Sequence, residues 1–224
     1  MIGSAKGSLM MDHGSRYFGM SSTSGVGKGG LVIMAFLDMN CNGKRDPGEP
    51  KVSGLNLKLT GGRMVTDIQD SIIRIFDLQP FTSYFIELDG NSFPNIAWQL
   101  RNKTISVTTN PNQFCLVEVP VAVLGEASGM VYENDEGSLK GLGRIYILVC
   151  NEMNVQVARV LTEADGYYSF PGLSPGKYTV RLDPQQLTKL KFSASGDTKS
   201  IVIHRSVEGD LVGNLDFTVN PVNQ

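Results

Sequence analysis

The stretch VTDIQDSIIRIFDLQPFTSYFIELD, Val65 to Asp89, returns later in the chain as LTEADGYYSFPGLSPGKYTVRLD, Leu161 to Asp183. Each copy carries a Thr, an apolar strand, a Leu-x-Pro turn, a Tyr-led strand and a closing Leu-Asp. The match extends outward. Upstream, LVIMAFLD at 31 to 38 corresponds to ASGMVYEND at 127 to 135, and downstream FCLVEVPVAV at 114 to 123 corresponds to VGNLDFTV at 212 to 219. A period of roughly 95 residues is too long for a solenoid unit, so it reads as two copies of a domain. The boundary falls near Leu124 to Glu126. This gives one module over 31–124 and a second over 125–224, behind a flexible lead-in at 1–30 rich in Gly, Ser and Met.

Alternation sets the secondary structure. Leu55, Leu57 and Leu59 alternate with Asn56 and Lys58, Ile105 and Val107 with Thr104, Ser106 and Thr108, and Tyr178, Val180 and Leu182 with Thr179 and Arg181. The same holds for Leu215, Phe217 and Val219. Each run is a strand with one buried face. Tyr167 and Tyr168 follow Gly166, and alternation turns at least one of them inward. Only PQQLTKLKF at 184 to 192 offers a short turn of helix. With 25 Gly and 10 Pro among 224 residues punctuating short apolar runs, the chain reads as all-β, two tandem Greek-key β-sandwiches.

One loop carries chemistry. Residues 38 to 49, DMNCNGKRDPGE, fit D-x-[DN]-x-[DN]-G-x5-E at every position. Calcium takes six to eight oxygens, and a wound loop offers side chains from alternate positions. Asp38, Asn40 and Asn42 supply the first three, Gly43 permits the sharp turn, and Lys44 offers its carbonyl. Asp46 binds directly or through water, and Glu49 closes the shell with two oxygens. Lys44 and Arg45 then point outward. A strand-like run precedes the loop and Pro50 follows it, so the ion is structural rather than the trigger of a helix-loop-helix sensor, with an affinity of about 0.1 to 1 mM. Asp, Asn, Gly and Pro are also turn formers, and a metal-free loop is the competing reading. The corresponding stretch of the second module, YENDEGSLKGLG at 132 to 143, keeps Glu133, Asp135 and Glu136 but not the alternate spacing. No ion is expected there.

Other signals exclude functions. A net charge of -2 provides no basic stripe for nucleic acid. STSGVGKGG at 22 to 30 has Ser22 where a phosphate loop needs Gly and Gly29 where it needs Ser or Thr, and it leads into a strand, so no nucleotide is expected. His13 and His204 have no partners at triad or zinc spacing and read as solvent-facing. Cys41, Cys115 and Cys150 match no CxxC spacing, and whether two of them pair stays open. Trp98, beside Ile96 and Leu100, reads as packing. No apolar run reaches the roughly 18 residues of a membrane span, and no signal peptide opens the sequence, which therefore reads as cytosolic or as a piece of something longer. The modules favour the piece.

With loop and repeat in view, the chain resembles the calcium-dependent B-type modules of serine-aspartate repeat surface proteins, together with collagen-adhesin B-type and carboxypeptidase regulatory-like domains. FLDMNCNGKRDPGEPKVSGLNLKL at 36 to 59 and TEADGYYSFPGLSPGKYTVRL at 162 to 182 carry the resemblance. It implies transthyretin-like (prealbumin-like) sandwiches acting as spacers or stalks, and places the ion at Asp38, Asn40, Asn42, Asp46 and Glu49. The tandem arrangement also looks like the C-terminal end of some usher-type outer-membrane proteins. Some relatives form a Lys-Asn isopeptide bond; Asn214 is suitably placed, but the first strands LVIMAFL and GMVY hold no Lys, so no crosslink is expected.

The expected function is a non-catalytic structural or assembly module of an exported bacterial protein at the cell surface, outer membrane or periplasm, with structural Ca2+ and protein partners. The alternative is a recognition module for glycan or protein. No convergent catalytic set supports an enzyme.

Overall fold

Ten successive residues of the first apolar run, Gly29–Asp38, are buried, which requires a strand covered on both faces. The computed structural model describes residues 8–12, 17–21, 27–67, 71–196 and 198–222. The chain divides into two compact units, Met1–Asp38 with Asn42–Ala122, and Met39–Cys41 with Val123–Gln224.

In the lead-in, β1 (Ser8–Asp12) and β2 (Tyr17–Ser21) pair antiparallel, strands that the composition of this segment does not announce. The first module consists of β3 (Gly29–Asp38), β4 (Asn56–Lys58), β5 (Arg63–Asp67), β6 (Ile72–Leu78), β7 (Ser83–Asp89), β8 (Trp98–Leu100), β9 (Thr104–Thr108) and β10 (Phe114–Val123). A five-stranded sheet in the order β5-β6-β3-β10-β8 accompanies a three-stranded sheet, β4-β7-β9. The second module consists of β11 (Gly125–Asp135), β12 (Ser138–Gly141), β13 (Tyr146–Asn151), β14 (Gln156–Leu161), β15 (Tyr167–Leu173), β16 (Gly176–Leu182), α1 (Pro184–Leu190), β17 (Phe192–Ser195), β18 (Thr198–Ile203), β19 (Leu211–Val212) and β20 (Phe217–Pro221). One sheet runs β12-β11-β20-β17 with β15 and β19 also on β11, and the other runs β14-β13-β16-β18. The fold is all-β sandwich, as the alternation predicts.

Both modules place the first strand between an antiparallel neighbour and the last strand, which lies parallel to it. In the first module β3 has β6 on one side and β10 on the other, in register from Gly30–Phe114 to Asp38–Ala122. In the second, β11 has β15 and β20, with Val131 opposite Phe217. This parallel return of the last strand beside the first is common to the two modules.

The repeated core pattern packs alike in each. Leu31, Ile33, Leu37, Ile75 and Ile86 are fully buried in the first module, and Ile147, Val149, Tyr168, Val180 and Phe217 in the second. Each such side chain contributes about 1.5–3 kcal/mol by burial. Tyr168 points inward and Tyr167 outward. The buried Tyr168 hydroxyl donates to the Leu215 carbonyl at 2.6 Å. Burial first, and the Asp216 charge second, raise its pKa well above the ordinary tyrosine value.

The Leu-x-Pro turn and the Tyr-led strand recur together for a reason. In the first module the Tyr84 hydroxyl accepts from the Gln79 N–H at 2.7 Å; in the second the Tyr178 hydroxyl donates to the Ser174 carbonyl at 2.8 Å. Gln79 and Ser174 are the middle residues of the two turns, so each tyrosine ties its own corner. The helix forms where expected: Asp183 caps it by accepting from Gln185 N–H at 3.0 Å, Pro184 starts it, and Lys191 ends it at φ 59°.

One strand changes sheets between the copies. β5 pairs with β6 in the first module, whereas its counterpart β14 pairs with β13 in the opposite sheet. Gly61 and Gly62 precede β5 with φ 98° and 75°, and a Cβ on Gly62 would lie 2.7 Å from Leu78 Cδ2 and 2.8 Å from the Phe76 carbonyl oxygen. Only glycine allows the chain to lie this close against β6. In the second module, Asn151 Oδ1 instead accepts from Met153 and Val155 N–H at 3.1 and 2.9 Å, turning the chain straight back along β13.

Candidate metal-binding loop

The acidic loop leaves the buried end of β3 and is pinned where it returns. Leu37 N–H donates to the Pro50 carbonyl at 2.9 Å, Val52 N–H donates to the Ala35 carbonyl at 3.0 Å, and Phe36 bridges Lys51. The sequence marks Pro50 only as the end of the motif; buried Val52, two residues later, was the available sign of this anchor.

Within the loop, carboxylates satisfy the backbone. Asp38 is fully buried, and its two oxygens accept from Asn42 N–H at 2.9 Å and Gly43 N–H at 2.8 Å. Asn42 Nδ2 donates to Asp46 Oδ2 at 2.8 Å, and Lys44 N–H donates to Asn42 Oδ1 at 2.7 Å. Asp46 N–H donates to Glu49 Oε2 at 2.9 Å, with Glu49 itself 7% exposed. Asp38, Asn42, Asp46 and Glu49 are thus joined by one run of hydrogen bonds. Asn40 is half-buried on the same turn, and Lys44 and Arg45 face outward, the latter 3.9 Å from Glu118 on β10.

The donor set is entirely oxygen, which suits a hard cation such as calcium and not zinc. Among the described residues no three His, Cys, Asp or Glu side chains stand together at metal-binding range. Asp38, Asp46 and Glu49 therefore do not meet as a carboxylate trio, and a shell here must take in amide or backbone oxygen from Asn40, Asn42 and Lys44.

The other sequence candidates are located as follows. The corresponding stretch of the second module is a hairpin: β11 reaches Asp135, turns through Glu136 and Gly137, and returns as β12 with Ser138 opposite Asp135. Trp98 is half-buried with its ring on Phe93, centroids 6.3 Å apart. His204 is exposed, with Nδ1 3.0 Å from Asp210 Oδ2; the backbone N–H of His204 is the main cause that lowers the Asp210 pKa. All three cysteines are free thiols. His13 and residues 22–26 of the stretch at 22–30 lie outside the described residues; the remainder, 27–30, runs into β3.

No protein-family model matches the chain. Part of the chain is similar to a curated serine-aspartate repeat-containing sequence. That relative is Serine-aspartate repeat-containing protein F of Staphylococcus epidermidis, 27% identical over 106 residues, or 45% of this chain. The match spans only 6% of the relative's length. Among solved structures, the Bacillus anthracis TIE protein aligns with 87% of this chain and 34% of its own at 16% identity and a TM-score of 0.39. The minor pilin GBS52 of Streptococcus agalactiae aligns with 88% and 97% at 12% identity and the same TM-score. Likenesses this distant bear on neither ligand nor mechanism.

Proposed function

We propose that the chain supplies two non-catalytic structural modules of an exported cell-surface protein, and that calcium stiffens the first of them at Asp38–Glu49. The observation that carries the reading is the hydrogen-bonded run of oxygen side chains from Asp38 to Glu49, closed at its base by Leu37–Pro50 and Ala35–Val52. The similarity to the serine-aspartate repeat protein supports the surface setting. Calcium would draw on Asp38, Asn40, Asn42, Lys44 O, Asp46 and Glu49, and hold the excursion against β3.

A ligand that binds only the folded state stabilises it by RT ln(1 + [L]/Kd). With a Kd of about 0.1–1 mM, calcium at about 10 mM contributes roughly 1.4–2.7 kcal/mol. Chemical denaturation in EDTA and in calcium should show that gain in the wild type and lose it in Asp46→Ala. Identical unfolding in EDTA and calcium would refute the metal.

A second reading, recognition of a glycan or peptide, has one observation of its own. A cleft of about 430 Å³ in the first module is lined by Trp98, Leu100, Glu87, Asp89, Lys58 and Lys103. Trp98 is the only tryptophan, so ligand entry there should shift the intrinsic fluorescence. Unchanged emission across a set of neutral oligosaccharides and peptides would remove this reading.

A further inference from the structure

Asn42 and Gly43 form the single Asn-Gly pair of the sequence, and the loop prepares that pair for a reaction with itself. The carbon of the Asn42 side-chain amide lies one ring closure from the backbone nitrogen of Gly43, and their union is a five-membered imide. In most residue pairs a side chain on the second residue shields that nitrogen. Gly43 has none, and the space where a Cβ would stand is open to 4 Å. Its φ of 78° is also one that favours glycine, so the turn that the loop needs is the turn that leaves the nitrogen without a shielding side chain. Asn42 is exposed, giving water access to the product.

Three hydrogen bonds arrange the reacting groups. Gly43 N–H, the nucleophile's own proton, points at Asp38 Oδ2 at 2.8 Å. Lys44 N–H lies 2.7 Å from Asn42 Oδ1, the oxygen on which negative charge develops when the amide carbon is attacked. Asn42 Nδ2, the departing nitrogen, is held by Asp46 Oδ2 at 2.8 Å.

We propose that Asn42 is a self-modifying position, which loses ammonia through attack by the Gly43 nitrogen, and that a bound cation suppresses the reaction. The Gly43 N–Asn42 Cγ bond forms and the Cγ–Nδ2 bond breaks. The Gly43 proton passes to hydroxide, and Nδ2 takes a proton from water and departs as ammonia. Water then opens the imide at either carbonyl, leaving aspartate or isoaspartate at position 42. No oxidant, metal or enzyme takes part.

The two products act in opposite directions on the loop. Aspartate adds a fourth carboxylate to the set, whereas isoaspartate inserts an extra backbone carbon and breaks the alternate spacing on which the motif depends. The protective half of the proposal rests on the calcium reading: a cation that takes oxygens of Asp38 and Asn42 withdraws them from Gly43 N–H and Lys44 N–H. The loop then becomes a record of time spent without its ion.

The test is peptide mapping by mass spectrometry of the full chain, aged in EDTA and in calcium at neutral and mildly alkaline pH. In EDTA, conversion at Asn42 should outpace that at Asn40, in the same loop but followed by Cys41, by roughly tenfold or more, equivalent to about 1.4 kcal/mol in barrier. It should quicken with pH and be abolished in Asn42→Gln, whose longer side chain disfavours the ring. Conversion at Asn42 no faster than at Asn40 overturns the self-modification. Fast conversion that calcium leaves unchanged, in a chain shown by titration to bind calcium, overturns the protection alone. The same result in a chain that binds no calcium removes the metal reading and leaves the modification standing. Asn42→Asp, titrated beside the wild type, should bind calcium more tightly; equal or weaker binding overturns the stated effect of the aspartate product.

Discussion

The end of the first strand is built differently in the two modules, although both bring acids to it. In the first, β3 stops at buried Asp38 and the chain makes its excursion to Glu49. In the second, β11 continues to Asp135 and folds back at once through Glu136 and Gly137 into β12. Glu133, Asp135 and Glu136 supply as many carboxylates as Asp38, Asp46 and Glu49, so acid content does not separate the two. The difference lies in what satisfies the backbone. In the hairpin, β11 and β12 pair with each other; in the loop, Asn42, Gly43 and Asp46 N–H donate to carboxylates. A peptide group buried without a partner is costly, and the sequence meets that demand with side chains in one module and main chain in the other. Only the first solution gathers oxygen atoms.

Substitutions can break this contrast. The largest effect should come from Asp38→Ala, which leaves the Asn42 and Gly43 amides without their acceptor and should cost the first module about 2–4 kcal/mol, together with any response to calcium. Urea unfolding with and without calcium reads both, and a loss below 1 kcal/mol would show that the carboxylate does not hold the turn. Next is Gly62→Ala, which puts a methyl against Leu78 and the Phe76 carbonyl at positive φ and should cost about 1–3 kcal/mol. A silent Gly62→Ala in the same assay would mean that the crossing to β6 does not depend on this glycine. The smallest effect belongs to Asp135→Ala on the exposed hairpin, within about 0.5 kcal/mol and with calcium response unchanged. A larger loss would show that the hairpin leans on its acids as the loop does.

Alternation and the repeat made most of the architecture readable. Thr104–Thr108 and Gly176–Leu182 are strands where their apolar positions alternate, and Phe217 and Val219 fall in β20, while Leu215 packs just before it. The Leu-x-Pro corner was visible as a pattern, yet its cause, a tyrosine hydroxyl reaching the turn, is a contact between residues that no periodicity encodes. The exchange of β5 between sheets was hidden for a related reason. Arg63–Asp67 has the same local propensity on either edge, and the choice depends on Gly62 lying against β6. In the loop, motif spacing picked out Asp38, Asn42, Asp46 and Glu49, which the structure joins by hydrogen bonds without gathering the three carboxylates. It could not show that the loop already spends several of their oxygens on its own amides.

The parallel pairing of first and last strands has a mechanical meaning. In each module the two strands lead to opposite ends of the sequence, so a pull on the chain slides them past one another along their length. The bonds between them are then loaded together instead of parting in succession as in a zipper. β3 and β10 share this alignment from Gly30 to Asp38, whereas β11 meets the returning chain in two pieces, β19 at Glu126 and Ala127 and β20 from Val131 to Glu133. The first module carries that load on one unbroken register, the second on two shorter ones.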